Sequence, residues 1–151
     1  MTLFSPGEGN LDNLSNVHFI QLALKDSAGS VLSRNFYWRA KTEWKYADLA
    51  GMMHARVTGT VSELKDGKVT VDLNNPTKGV VLMARLKVVD TASGLLAAPV
   101  LYSDNYFSLA PRESRRVEIN LQAVQLRNSL KLIVEGWNLA PAELASLHEK
   151  V

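Results

Sequence analysis

The sequence predicts an all-β fold, an antiparallel β-sandwich. Short runs of alternating apolar and polar residues recur along the chain, and clusters of turn formers separate them. No long helical period lies between them. Many short strands without crossover helices are the pattern of two packed antiparallel sheets.

Residues 1–16 are rich in Gly, Asn, Asp, Ser and Pro without a sustained period, and read as a lead-in or linker. Residues 17–40 read as a hairpin. Val17–Lys25 places Ile20, Leu22 and Leu24 on one face, Asp26-Ser27-Ala28-Gly29 turns, and Val31–Arg39 returns with Asn35-Phe36-Tyr37-Trp38. Residues 41–53 break the strand rhythm, and Tyr46-Ala47-Asp48-Leu49 reads as one helical turn or an extended bridge. The sandwich is expected over residues 54–138. His54–Leu64 alternates, Lys65-Asp66-Gly67 is an Asp-Gly hairpin signal, and Lys68–Leu73 answers with Val69, Val71 and Leu73 inward. Val80–Asp90 is the longest candidate strand, with Leu82, Ala84, Leu86 and Val88 predicted on one face and Arg85 and Lys87 on the other. Pro99 makes Pro99–Tyr102 an edge strand, because proline cannot donate to a ladder. Tyr106–Leu109, Val117–Leu121 and Leu130–Trp137 complete the strands. Residues 139–151 form a tail in which Pro141, suited to a first helical turn, predicts a short C-terminal helix.

Composition bounds the function. The chain has 151 residues, 46% hydrophobic and 21% charged, enough for one packed core and unlike a disordered segment. It is too short for a (β/α)₈ barrel, which needs ~250 residues. A net charge of +2, with Arg115-Arg116 flanked by Glu113 and Glu118, argues against a nucleic-acid partner. The absence of cysteine removes disulfides and thiolate chemistry. Met1–Gly9 lacks the basic and apolar regions of a secretory signal, and no apolar run reaches the ~20 residues that span a bilayer. The expectation is a soluble chain with no membrane partner.

No reaction centre is legible. His18, His54 and His148 lie in unlike segments without metal-ligand spacing. Among the carboxylates, Glu135, Glu118 and Asp72 fall on non-core positions of strands, and Asp104 opens a turn where it can accept from backbone N–H groups. Neither a nucleophile elbow nor a phosphate loop occurs, and Gly7-Glu8-Gly9 alone carries nothing. No cofactor is implied. The aromatic residues are the functional signal, with Trp38, Trp44, Tyr46, Tyr106 and Trp137 the candidate contacts. Such side chains serve as core, as anchors of a domain interface or as platforms for sugar rings.

Two ordered motifs carry a resemblance. Ser103-Asp104-Asn105-Tyr106-Phe107-Ser108-Leu109, followed by Pro111-Arg112-Glu113-Ser114, is one; Val134-Glu135-Gly136-Trp137-Asn138 is the other. Together with Asn75-Pro76 and Ser33-Arg34-Asn35-Phe36-Tyr37-Trp38, they resemble the C-terminal immunoglobulin-like domain of family 2 glycoside hydrolases of the exo-β-D-glucosaminidase and β-mannosidase group. Arg112 departs from the family's Pro-Gly-Glu turn, and arginine tolerates a left-handed backbone poorly, so that angle is not expected here.

The resemblance implies an immunoglobulin-like sandwich that braces a large multidomain hydrolase exported from the cytoplasm. The catalytic glutamates of that group sit on a separate barrel, so no catalytic residue is carried over to this chain. It further implies that Val17–Trp38 is the last hairpin of a preceding sandwich. A hairpin is marginal alone, so it must pack on the sandwich or on a second copy of the chain. The other functional reading is a carbohydrate-binding module with an oligosaccharide partner.

Overall fold

A computed structural model describes residues 14–124 and 129–148. The expected lead-in lies outside the described residues up to Asn13. The chain divides into two compact units, one ending at Met53 and one beginning at His54.

The first unit is an antiparallel hairpin of β1 (Val17–Lys25) and β2 (Val31–Ala40). Asp26 closes its turn: the side chain accepts the N–H groups of Ala28 and Ser30 at 2.9 and 2.8 Å, while Gly29 takes φ +83°. Phe19 and Phe36 stack across the strands with centroids 5.6 Å apart. Beyond β2, the segment expected as a helical turn or a bridge forms a 3-10 turn over Ala47–Gly51. Asn16 donates to Asp48 at 3.2 Å and its carbonyl accepts the N–H of Lys41 at 2.8 Å, tying the turn to the base of the hairpin.

The second unit is the sandwich. Its strands are β3 (Thr58–Val61), β4 (Lys68–Asn74), β5 (Val81–Asp90), β6 (Leu101–Tyr102), β7 (Phe107–Leu109), β8 (Ser114–Asn120), β9 (Leu130–Glu135) and β10 (Ala142–Leu147). They form two four-stranded antiparallel sheets, ordered β3-β4-β8-β6 and β10-β9-β5-β7. One sheet contributes Val69, Val71, Leu73, Val117 and Ile119 to the core; the other contributes Val81, Leu86, Val88, Leu132 and Val134. All ten are buried. Strand alternation puts these branched side chains face to face, and burying each is worth about 1.5–3 kcal/mol. The β3–β4 turn takes positive φ at both Asp66 (51°) and Gly67 (68°), the conformation an Asp-Gly pair selects. β6 follows a cis Ala98–Pro99 bond and lies at a sheet edge, as Pro99 predicts.

Several expectations are corrected. The predicted C-terminal helix is strand β10, paired to β9 from Ala142↔Val134 to Leu147↔Leu130. The free backbone edge of β9 takes up the segment, and a bulge between Glu143 and Ala145 resets parity. Leu144 and Leu147, three residues apart as on a helix face, therefore both pack on the core. His54–Leu64 is strand only over Thr58–Val61.

In β5 the register with β7 shifts between Val81 and Ala84, and Met83 has φ +53°. Val81, not Leu82, joins Ala84, Leu86 and Val88 in the core, and Leu82 is buried outside it. Arg112, expected to avoid the left-handed region, has φ +63°. It sits third in the Ala110–Glu113 turn, where a type II turn requires positive φ. Glu113 N–H donates back to Ala110 at 3.0 Å, and Arg112 N–H to the carbonyl of Asn75 at 2.9 Å. Those bonds fix the turn against a conformational cost of roughly 1–2 kcal/mol. Asp104 pairs with the Arg115 guanidinium instead of accepting turn N–H groups.

The irregular stretches are held by asparagine side chains. Asn138 accepts the N–H of Leu82 and donates to the carbonyl of Val80, both at 2.9 Å. Asn105 does the same for Leu86, at 2.8 and 3.0 Å. Asn75 donates to the carbonyls of Gly79, Leu109 and Ala110. Each amide supplies the donor and acceptor that a missing ladder partner would have supplied.

Asn138→Ala should strip partners from two backbone groups beside the bulge and lower stability by about 2–4 kcal/mol, since each unsatisfied buried group costs ~1–3 kcal/mol. Denaturant titration should show this as a lowered midpoint, against a near-neutral exposed control, Ser146→Ala. Equal midpoints would count against the clamp.

Candidate functional site

The five aromatic candidates fall in both units. Trp38 lies on β2 opposite Phe19 and is exposed. Trp44 has φ +64° and is 82% exposed, and Tyr46 is half-buried with its carbonyl accepting the N–H of Leu49. These three belong to the first unit.

Tyr106 and Trp137 belong to the second, and they line one open cleft of about 320 Å³ with Met83, Arg85, Glu135 and Pro141. Local backbone chemistry puts both rings there. Tyr106 follows Asn105, adopts φ +57°, and donates its N–H to the Asn105 side chain at 3.1 Å. Trp137 follows the last pair of β9 with β5 and donates its N–H to the carbonyl of Leu82 at 2.9 Å. Gly136 permits that approach, because a Cβ there would meet the same carbonyl at 3.0 Å. Tyr106 is 57% exposed and Trp137 58%.

The charged groups of the cleft come from register. Arg85 pairs with Glu135 across β5 and β9, so its guanidinium lies 3.4 Å from the carboxylate, while Lys87 approaches it at 2.6 Å. Arg85 also covers one side of Tyr106, 5.5 Å from the ring centroid. Of the residues lining this cleft, the sequence marks Tyr106 and Trp137 as candidates and Glu135 as structural, and it does not single out Met83 or Arg85. Arg85 alternates with the core as any solvated strand residue does, and only the cross-strand register names its partner. Nothing in a methionine signals a left-handed bulge.

Asp72 and Glu143 are engaged in surface ion pairs, whereas Glu118 is exposed on β8. Asp72 accepts two hydrogen bonds from Arg116, both at 2.8 Å, and the guanidinium holds its carboxyl below the usual range. Lys131, then Ser146, lower Glu143 in the same way. A glycosidase acid needs the opposite, a carboxyl kept protonated. Among the described residues no three His, Asp or Glu side chains converge to hold a metal ion.

A second groove, about 420 Å³, runs over β4, β8 and β6 and is lined by Lys68, Thr70, Tyr102, Ser103 and Glu118 among others. Burial raises the Tyr102 phenol above its ordinary pKa, more than the N–H it accepts from Val88 lowers it. The unfolded chain therefore ionises first, and stability should fall as pH rises above about 10 toward the folded value. Tyr102→Phe should lose this alkaline component while losing ~1 kcal/mol near neutrality from the missing acceptor. Denaturant midpoints of both proteins at pH 8 and pH 11 test it; identical alkaline losses would contradict the assignment.

Comparison with known proteins locates the chain. The sequence profile of the exo-β-D-glucosaminidase Ig-fold domain matches residues 35–139. The exo-β-D-glucosaminidase of Arthroderma benhamiae is 33% identical over 147 residues, covering 85% of this chain and 16% of that protein. That of Streptomyces avermitilis is 33% identical over 156 residues, covering 87% and 17%. The exo-chitosanase CsxA of Amycolatopsis orientalis, in complex with PNP-β-D-glucosamine, superposes with a TM-score of 0.74 at 25% identity. That match covers 90% of this chain and 19% of CsxA. The chain thus spans about a sixth of the length of the curated relatives it matches. With the two facing sheets and the ordered motifs already in place, the match over residues 35–139 makes this chain a member of the exo-β-D-glucosaminidase Ig-fold domain family.

Proposed function

We propose that the chain acts as a non-catalytic accessory domain of a multidomain family 2 glycoside hydrolase cleaving β-D-glucosaminides. The observation that carries this reading is the match of most of the chain to one Ig-fold region, itself about a sixth of each relative. The work of such a domain is burial: its surface stiffens the rest of the enzyme while bonds are broken elsewhere. The carboxylates of Glu135, Asp72 and Glu143, held in ion pairs, fit that role. In this reading β1 and β2 finish a preceding sandwich and residues 41–53 connect it to the domain proper. The parent works outside the cytoplasm. A second copy of the chain could cover the hairpin when the fragment is isolated.

Oligosaccharide binding is the second reading. It is favoured by the placement of Tyr106 and Trp137 on one cleft with a carboxylate and a guanidinium.

Deleting the matching region from the Streptomyces avermitilis enzyme should lower its melting temperature by several degrees and leave the kcat of surviving folded enzyme within a few-fold. Adding the 151-residue chain in trans should restore part of the melting temperature. Unchanged melting with abolished turnover would overturn bracing and place chemistry in the domain.

A further inference from the structure

We propose that the cleft between Tyr106 and Trp137 is a binding site for one pyranose unit of an oligosaccharide. This rests on the second reading above and not on bracing.

Three features converge. Two of the non-glycine residues with left-handed backbone, Met83 and Tyr106, line this one cleft. Such angles cost roughly 1–3 kcal/mol each, persist only where surrounding contacts enforce them, and gather at ligand sites. The contacts enforcing them are identified: Ser108 Oγ accepts the Met83 N–H at 3.2 Å and the Asn105 side chain accepts that of Tyr106 at 3.1 Å.

The second feature is composition. Two aromatic rings, each more than half exposed, flank Glu135 and Arg85. A pyranose presents just this mixture, apolar C–H faces that pack on aromatic rings and an equatorial rim of polar groups. Glu135 can accept from a ring hydroxyl or amine, and Arg85 can donate to a ring or hydroxyl oxygen. Because Glu135 is already held by Lys87 and Arg85, its remaining acceptor directions are fixed before any ligand arrives.

The third feature is size. About 320 Å³ lies at the small end of the ~300–1,000 Å³ typical of small-molecule sites, suited to a sugar ring. A protein-docking patch would instead be a broad apolar area ringed by polar groups. Here the ion pair sits within the cleft.

The test uses the 151-residue chain in a Trp44→Phe background, which removes the most exposed indole from the signal. A β-1,4-linked glucosamine tetramer and its N-acetylated counterpart are titrated while tryptophan emission is followed. Saturation transfer to the sugar C–H protons is recorded alongside. A saturable change with either oligomer is expected, weakened tenfold or more by Tyr106→Ala and by Trp137→Ala and less by Trp137→Phe. Thermal melts confirm that each variant is folded. Binding of both oligomers identifies a site reading the ring; binding of the amine-bearing one alone identifies a site directed by Glu135. No saturable change with either, or binding that survives both alanine variants, overturns the proposal. So does self-association by sedimentation that Trp137→Ala abolishes, which would make the cleft a protein contact. None of these results bears on the melting temperature of the domain-deleted enzyme, so the two readings fail separately.

Discussion

Strand β5 is the spine of the second unit, and the structure depends on keeping its backbone hydrogen-bonded where regular pairing stops. Along Arg85–Asp90 the partner is β9. Around the bulge, with the register to β7 broken, Asn138 serves Val80 and Leu82 while Asn105 serves Leu86. An asparagine carries one acceptor and a two-hydrogen donor on a planar amide, so it can stand in for a residue of an absent strand. A leucine of similar size could fill the space but would leave those groups unpaired. The low-dielectric surroundings make such omissions costly.

The same device shapes the surface. Tyr106 immediately follows one clamp and Trp137 immediately precedes the other, so the side chains that repair the ladder also set where the rings emerge. The bulge contributes Met83, and register contributes Arg85 opposite Glu135. The cleft is thus a by-product of how two motifs terminate on one strand. Tyr106 and Trp137 are among several large apolar side chains the second unit leaves exposed, with Leu95, Leu96 and Leu101.

The first unit poses a different problem. Ile20, Leu22 and Leu24 share a face of a two-stranded sheet and remain exposed. Two strands bury too little to stand alone in water, so the hairpin's apolar face is consistent with a role inside a larger assembly. Ion pairs on the sandwich add little stability individually, because Asp72–Arg116 and Lys131–Glu143 are open to solvent and screened. Stability resides in the two inner faces.

Alternation alone determined that Val69, Val71 and Leu73 share the inward face of one strand and Val117 and Ile119 that of another, because a period of two survives any tertiary arrangement. That the two strands pair was decided by the fold. Asp66-Gly67 likewise specified its own turn through local backbone preference. The motifs around Asn105 and Asn138 were legible as a family signature, yet their physical role was not, since an asparagine's partners lie 19 and 56 residues away. Only the folded chain decided three further matters: that Ala142–Leu147 completes a sheet instead of coiling, that Val81 replaces Leu82 in the core, and that Arg112 accepts a left-handed turn. In each case a reading from local sequence yielded to backbone hydrogen bonds and burial that long-range pairing alone supplies.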